Sequence, residues 1–357
     1  MHRNQNGVTH IPGVVRRMIS KPNRLARQVC AWHWRRAFTW PELEKGGSYR
    51  LSRVMRLRVL VIILPLLCCA VHLHADDRLI RYLYEDTRRL VKLVEDAATL
   101  MEREGAAAFP EFGRKGSRWF DDQCFLFVYD SAGICTFHAT IPELIGKNLM
   151  DLRDMNGKPL IRFITDVCRK PERDAHGWVF YLWQEKNEFE PKWKSAYVRK
   201  VIMPDSKVCV IGAGHHYLKI EKVMVQENVQ NAVDLLTTEG KQVAFKEFLN
   251  PASRYSFLNT FIWVTDERGL ALVDPAFPEK EGRDLTLFRD AIGRPVMKEI
   301  IDKLRKDDEA WVQYLWPRPG AVAASRKLAY VKKVRVGEET LLVGSDFFLA
   351  SPIWMKE

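Results

Sequence analysis

The segments LMDLRDMNGKPLIRFI (residues 149–164) and LTLFRDAIGRPVMKEI (residues 285–300) share one pattern at a separation of 136 positions. The likeness continues on both sides of them. HGWVFYLW (176–183) matches EAWVQYLW (309–316), SAYVRKV (195–201) matches LAYVKKV (328–334), and VCVIGAG (208–214) matches TLLVGSD (340–346). Solenoid repeats have periods of about 20–50 residues, so this spacing predicts a duplicated domain instead. Residues 76–216 are the first repeat and residues 217–357 are the second repeat.

Sequence periodicity predicts the same order of elements in each repeat. Residues 79–105 space Leu and Val at three and four, which is typical of an amphipathic helix, here ending at Gly105. FLFVYDSAG (125–133) is an apolar run followed by a hairpin turn, and Pro159 opens a shorter helix. Three further strands follow. The predicted fold class is α+β, with a five-stranded, mostly antiparallel sheet and a long N-terminal helix in each repeat.

The turn before the shorter helix carries an aspartate in both repeats. Asp154 stands in DMNGKP and Asp290 in DAIGRP. An aspartate side chain at the start of a turn accepts hydrogen bonds from backbone N–H groups two or more residues further on. We therefore predict a capping role for both carboxylates rather than a catalytic one.

The charge of the chain is concentrated at its N-terminus. The net charge is +11, but 11 of the 56 Lys and Arg lie in residues 1–54 against only 2 acidic residues. Residues 76–357 hold 43 basic and 43 acidic residues and are neutral. Nucleic-acid binding needs a basic face on a folded domain, so no nucleic-acid partner is predicted.

A leader follows the basic segment. MRLRVLVIILPLLCCAVHLHADD (55–77) has two arginines, a short apolar run and a small residue, Ala75, before an acidic pair. This pattern predicts a cleaved signal peptide over residues 55–75, and hence a periplasmic or secreted protein. An uncleaved leader that anchors the chain in the inner membrane is the alternative. Residues 1–54 have no clear period, and we expect them to be non-native upstream sequence or disordered, with translation starting at Met55.

Four cysteines lie in the first repeat. Cys124, Cys135, Cys168 and Cys209 have no CxxC spacing, which disfavours a zinc site. An exported protein permits disulfide bonds among them, and single buried thiols are the equal alternative.

The order of motifs resembles a known sensor family. The apolar strand, IPELIGKN (141–148), GWVFYLW (177–183), the lysine before YV and a final VIGAG strand (210–214) together resemble the single Cache domain, type 2, twice in tandem. The resemblance implies PAS-like folds that act as extracytoplasmic ligand-binding sensors in chemotaxis and signal transduction. It also implies short organic acids such as acetate, propionate, lactate or pyruvate as ligands, with no cofactor.

Alternation along one strand nominates aromatic residues for a ligand pocket. Side chains on a strand alternate between faces, so Tyr181 and Trp183 share a side, as do Tyr314 and Trp316 in the second repeat. A phenol and an indole N–H on one wall suit a small polar ligand in an apolar cavity. The alternative is that these are core aromatics with satisfied polar ends.

The resemblance adds basic residues and further tyrosines to the predicted site. Lys194 and Lys327 stand where the family borders its pocket, three residues before Tyr197 and Tyr330. His138 stands where the family often has a pocket histidine, and Tyr129 is a further candidate. Solvated lysines and a core histidine are the competing interpretations. The full set of predicted ligand-binding residues is His138, Tyr129, Tyr181, Trp183, Lys194, Tyr197, Tyr314, Trp316, Lys327 and Tyr330.

The two repeats are not predicted to bind alike. Asp274 replaces His138 in the second repeat, and a carboxylate there repels an acid. The first repeat is therefore the predicted acid binder, and the second repeat has another ligand or none.

Other functions have weaker support in the sequence. No GxSxG, HExxH or GxxxxGK[ST] motif occurs, so we expect neither an enzyme nor a metal site. His215 and His216 are neighbours on a strand and point to opposite faces. The predicted function is an exported sensor or solute-capture protein without its own output domain, which reports to a membrane receptor or kinase. A structural scaffold of the cell envelope that binds no ligand is the alternative.

Overall fold

The computed structural model describes residues 78–120, 124–185 and 188–349. The predicted upstream segment (1–54) and leader (55–75) lie outside the described residues. Among the helices within those ranges, none combines the length and the apolar character that crossing a membrane requires.

The described part of the first repeat is built on three α-helices between residues 85 and 165 and on five strands. Its helices are α1 (Glu85–Glu104), α2 (Phe109–Phe112) and α3 (Leu160–Thr165). Its strands are β1 (Phe125–Asp130), β2 (Cys135–His138), β3 (His176–Trp183), β4 (Lys192–Ile202) and β5 (Val208–His216).

The second repeat has the same plan. Its helices are α4 (Lys222–Leu249) and α5 (Val296–Leu304). Its strands are β6 (Ile262–Asp266), β7 (Ala271–Val273), β8 (Glu309–Pro317), β9 (Ala324–Val336) and β10 (Glu339–Phe348).

The two sheets have the same strand order and the same register shift in their hairpins. The sheets run β2-β1-β5-β4-β3 and β7-β6-β10-β9-β8, with every neighbouring pair antiparallel. Both hairpins shift register at the same place, after Val128 in β1 and after Val264 in β6. The predicted α+β class with two PAS-like five-stranded sheets is confirmed.

Each sheet is covered on both faces by different elements. The long helix, α1 or α4, packs on one face, which we call the helix face. The short helix, α3 or α5, packs on the other, which we call the pocket face. On β3 the alternation is as predicted: Val179, Tyr181 and Trp183 cluster with α3 on the pocket face, and Trp178 packs against the helix-face core.

The long helices break at equivalent glycines. α1 ends at Gly105, as predicted, and α4 is interrupted at Gly240. Both glycines have positive φ, 62° and 79°, where a side chain would be strained. The predicted continuous helix from Leu79 is interrupted: Arg78 and Leu79 are helical, residues 80–84 are not, and α1 begins at Glu85. The Glu221 carboxylate accepts hydrogen bonds from the Leu83 and Tyr84 N–H groups, at 2.9 and 2.8 Å, and holds the chain extended there.

The two aspartate turns are confirmed. Asp154 Oδ1 accepts the Asn156 and Lys158 N–H groups, both at 2.9 Å, and its Oδ2 accepts the Leu182 N–H at 2.8 Å. Asp290 bonds in the same way to Ile292, Arg294 and Leu315. Each carboxylate thereby links its turn to a strand, β3 with Tyr181 in the first repeat and β8 with Tyr314 in the second.

The repeats are joined at the first turn. Lys158 is fully buried, and its ammonium donates to the backbone carbonyl oxygens of Ser253 and Ser256 in the second repeat. Beside it, the Phe180 and Phe257 rings stack at 3.9 Å between centroids. Asp166 and Arg254 form an ion pair across the same boundary.

Disulfide bonds and single thiols were equal alternatives for the cysteines, and at three positions the structure has single thiols. Cys135, Cys168 and Cys209 are thiols, buried or half-buried in the first repeat. Burial raises the pKa of all three above its ordinary value, so they are protonated at neutral pH.

Candidate functional site

A row of polar side chains crosses the pocket face of the first sheet. Tyr181 on β3 lies directly opposite Lys194 on β4, and Lys194 lies opposite His216 on β5. In the second repeat the same row reads Tyr314, Lys327 and Phe348. Sheet register therefore places both predicted lysines next to the predicted tyrosines of their repeat.

Lys194 is the central charge of the first site. Its side chain is 2% exposed, and burial lowers the pKa of its ammonium to about 8. The ammonium lies 3.9 Å from the centroid of the Phe125 ring, a cation–π contact. Among the described residues, no carboxylate forms an ion pair with it. A buried ammonium in this setting is a strong attractor for an anion.

An open cleft leads to Lys194. It has a volume of about 930 Å³, and its wall includes Trp183, Lys194 and His216, with Phe125 and Ile141 opposite. Two carboxylates stand at the rim, where Lys192 pairs with Glu185 at 3.6 Å and Glu188 at 3.2 Å. The Lys192 ammonium offsets one of these two carboxylates, and the positive charge of Lys194 is more deeply buried.

His138 stands behind the wall of the cleft rather than in it. The ring is 4% exposed and packs against Phe125 at 5.2 Å between centroids. Its Nδ1 accepts the Ile141 N–H at 3.1 Å, so the proton of the neutral ring is on Nε2. Burial, with Lys194 adding to it, lowers the pKa of His138 to about 4. At neutral pH this histidine offers a hydrogen-bond donor but no charge.

His216 is a site residue that sequence reasoning missed. It lines the cleft next to Lys194, and its Nδ1 donates to the Trp193 carbonyl oxygen at 3.2 Å. Burial lowers its pKa as well. The period-two rule alone does not find it, because its place beside Lys194 depends on the register between β4 and β5.

Tyr129 and Tyr181 belong to the core beneath the first cleft. Both rings are buried with Phe127 and with Ile161 and Ile164 of α3. Burial raises the pKa of both phenols well above its ordinary value, so both are protonated. Neither tyrosine lines the cleft, which agrees with the core-aromatic alternative.

Tyr197 and Tyr330 are corrections to the predicted site. They lie on the helix face, where the Tyr197 hydroxyl donates to Glu95 at 2.7 Å and the Tyr330 hydroxyl donates to Glu309 at 2.6 Å. Each is three residues from the lysine of its repeat, and an odd separation on a strand reverses the face. They cannot share a pocket with Lys194 or Lys327.

The second repeat encloses a smaller cavity. Its volume is about 80 Å³, and the predicted residues Tyr314, Trp316 and Lys327 line it. Apolar walls come from α5 and from the hairpin. Its charged lining residues are Asp274, Lys280, Lys327 and Asp346.

Lys327 is already paired inside this cavity. Its ammonium lies 2.8 Å from Asp346 Oδ1, with side-chain exposures of 3% and 1%. Asp346 Oδ2 also accepts hydrogen bonds from Trp263 Nε1 at 3.0 Å and from the Tyr314 hydroxyl at 3.2 Å. Sequence reasoning missed Asp346, although the alignment of VCVIGAG with TLLVGSD shows that it replaces Gly214 in the second repeat.

Two further charges remain in the second cavity. Burial raises the pKa of Asp274 to about 6. The Lys280 ammonium lies over the Phe277 and Trp316 rings, at 3.5 and 4.4 Å from their centroids, and burial lowers its pKa. The second cavity therefore balances two acidic against two basic groups, unlike the first cleft.

The part of the chain that the structure describes holds no group of three or more His, Cys, Asp or Glu side chains placed to bind a metal ion. His215 and His216 lie on adjacent positions of β5, and their ring Nδ1 atoms bond to backbone carbonyl oxygens.

Two family models match the chain one after the other. The model described as "Cache domain" matches residues 114–245, and the model described as "Single Cache domain 2" matches residues 215–347. The methyl-accepting chemotaxis protein McpP of Pseudomonas putida is 32% identical over 81 residues, which are 23% of this chain and 15% of that protein. The match thus spans a small part of the curated relative.

Solved structures of sensor domains are also similar. One, described as a Cache chemosensory domain that recognises carboxylic acids, has 27% identity and a TM-score of 0.32 over 35% of this chain and 91% of its own. A methyl-accepting chemotaxis protein from Vibrio parahaemolyticus has 20% identity and a TM-score of 0.31 over 36% of this chain and 87% of its own. The two successive family matches, on two sheets of identical strand order, show that the chain belongs to the Cache family, with two Cache domains in tandem.

Proposed function

We propose that the first repeat binds a short organic acid through the Lys194 ammonium, and that the protein is the extracytoplasmic sensor or solute-capture component of a signalling system. Cache domains are small-molecule sensing modules of chemoreceptors. One observation carries the choice of ligand. Lys194 is buried at the base of a cleft without an ion pair among the described residues, whereas its counterpart Lys327 is paired with a carboxylate.

The environment of Lys194 suits one carboxylate. A charge-assisted hydrogen bond contributes about 1.5–3 kcal/mol, and the aromatic walls of the cleft can cover a short alkyl chain. An acid of about four to six heavy atoms gains at most about 6–9 kcal/mol, which limits its affinity to the micromolar range. That range favours reversible sensing or delivery over permanent capture.

The setting outside the cytoplasm and the partner follow from the family. The named relative is a chemotaxis receptor, and the leader pattern of residues 55–75 is that of an exported protein. A membrane receptor or kinase that reads the liganded first repeat is the partner we propose. We keep the prediction that the protein catalyses no reaction.

Calorimetric titration of the purified protein with acetate, propionate, lactate and pyruvate tests the proposal. We expect micromolar binding of at least one acid by the wild type, and at least about tenfold weaker binding by Lys194→Met, which removes the charge-assisted bond. Lys207→Met is the matched control, since Lys207 is exposed in the turn between β4 and β5, pairs with Asp205 and does not line the cleft. It should bind like the wild type.

Two outcomes would contradict the proposal. A wild-type protein that none of the acids binds or stabilises would favour the scaffold that takes no ligand. Equal binding by Lys194→Met and the wild type would move the site away from the cleft.

A further inference from the structure

The last strands of the two sheets differ at a pocket-face position two residues before His216 and Phe348. Gly214 on β5 pairs with Ala196, and Asp346 on β10 pairs with Ala329. Both positions are on the pocket face, and each is diagonal to the lysine of its repeat. The first repeat therefore has no side chain where the second repeat has a carboxylate.

Asp346 occupies the position that a bound acid would need. Three donors converge on it, from Lys327, Trp263 and Tyr314, at 2.8, 3.0 and 3.2 Å. The first repeat keeps two of these donors, Lys194 and Tyr181, and has Phe127 in place of the tryptophan. In both repeats the lysine thus lies beside a position that a covalently held carboxylate fills in the second repeat and that Gly214 leaves without a side chain in the first.

We propose that Asp346 is a tethered substitute for a ligand carboxylate, and that the residue at this position decides whether a repeat accepts an acid. This inference rests on the proposed function of the first repeat and names its specificity determinant. A tethered carboxylate has a high effective concentration at Lys327, so a dilute free acid cannot displace it. A free acid would also enter beside both Asp346 and Asp274, which repel it.

The exchange between repeats is sterically reasonable. A Cβ added at Gly214 would lie 2.8 Å from Lys194 Cε and 3.2 Å from Ala196 Cβ. The second repeat accommodates an aspartate beside the same two neighbours, Lys327 and Ala329. The flexible Lys194 side chain can therefore move to pair with an aspartate at position 214.

The first test introduces the carboxylate where it is absent. We expect Gly214→Asp to bind acetate and propionate at least about tenfold more weakly than the wild type, because Lys194 is then paired internally. Gly214→Ala is the control, since it adds the Cβ without the charge, and it should retain more affinity than Gly214→Asp. Wild-type affinity in a folded Gly214→Asp protein would overturn the proposal.

The second test removes the carboxylate where it is present. In a Lys194→Met background, which closes the first site, we expect Asp346→Gly to create one acetate site. Asp346→Asn in the same background should create none, because the amide still fills the position. A protein that unfolds in chloride but folds in acetate would also support the proposal, since the acid then replaces the missing side chain.

The outcomes separate the two proposals. If the wild type binds no acid but Lys194→Met/Asp346→Gly does, the proposed function fails while the tethered carboxylate stands. If the wild type binds an acid and a folded Lys194→Met/Asp346→Gly protein binds no acetate, position 346 is not the determinant. If that double variant folds in neither salt, the comparison of Gly214→Asp with Gly214→Ala decides.

Discussion

A single ammonium group sets the expected pH dependence of ligand binding. Burial lowers the pKa of Lys194 to about 8, so the unliganded side chain loses its charge as the pH rises through that value. A bound carboxylate favours the charged form and raises this pKa again. Binding therefore releases no proton below pH 8 and requires proton uptake above it.

The resulting prediction concerns affinity. We expect the affinity for acetate to be constant from pH 6 to about pH 7.5 and then to fall, approaching tenfold per pH unit above pH 8. Calorimetric titrations from pH 6 to pH 10 measure it. An affinity that stays level to pH 10 would show that another group supplies the charge.

Residue positions on strands were predictable as far as the period-two rule was applied. The rule correctly groups Tyr181 with Trp183. Tyr197 entered the predicted site through the family resemblance, but its odd separation from Lys194 puts it on the other face. Strand pairing was not available from the sequence, since it depends on register between distant segments. His216 and Asp346 join the site only through that register.

At the scale of elements, the breaks at Gly105 and Gly240 shape the long helices. Gly240 interrupts α4 with φ of 79° and ψ of 172°, which redirects the chain before residues 241–249 resume the helix. An added Cβ there would meet nothing within 4 Å, so any cost of a side chain comes from the backbone alone.

We predict that Gly240→Ala lowers the free energy of unfolding by about 1 kcal/mol or more, because alanine is strained at positive φ. Urea unfolding followed by circular dichroism measures the change. Glu239→Ala is the control, since Glu239 is exposed in the same helix, and we expect a change within about 0.5 kcal/mol. A more stable Gly240→Ala protein would mean that α4 prefers to be continuous.

Helices and strands were predictable because apolar periodicity and turn residues agree in both repeats. The exception lies before α1, where Leu79 and Leu83 continue the helical spacing but residues 80–84 are not helical. Leu83 is 72% exposed, and the Glu221 carboxylate, more than 130 positions away, takes the local N–H groups. A tertiary contact of this kind overrides local propensity and leaves no local signal.

At the scale of the whole molecule, Lys158 connects the two repeats. It lies in the turn that precedes α3, and its ammonium binds two carbonyl oxygens of the second repeat. Among the described residues, the side chain of its counterpart Arg294 bonds within the second repeat, to Gln313 and Glu299. The duplicated turn thus has a joining role in one copy alone.

We predict that Lys158→Met lowers the free energy of unfolding by about 2 kcal/mol, because two buried carbonyl groups lose a charged donor. Differential scanning calorimetry should also show a broader or divided transition, since the repeats are then less tightly coupled. Arg294→Met is the matched control and should keep a single transition. Superimposable traces for Lys158→Met and the wild type would contradict a joining role.

The duplication itself was the most predictable feature, because each half of the chain serves as evidence for the other. The contact between the halves was not predictable. Lys158 and Arg294 occupy equivalent positions in the two repeats, and they differ in the groups that they bind, which the alignment does not show. Gly214 and Asp346 also occupy equivalent positions, and the alignment does not show what each of them contacts. Alignment of the halves finds what they have in common, and the function proposed for them depends on where they differ.

The hydrogen bonds from Lys158 to main-chain oxygens determine which substitutions the contact between the repeats tolerates. Every residue type supplies a carbonyl, so Ser253 and Ser256 are replaceable at this joint without loss of its hydrogen bonds. Lys158 is not replaceable in this way, because its side chain supplies the donor. Substitutions at positions 253 and 256 can therefore accumulate without removing the hydrogen bonds that Lys158 adds to the contact between the repeats.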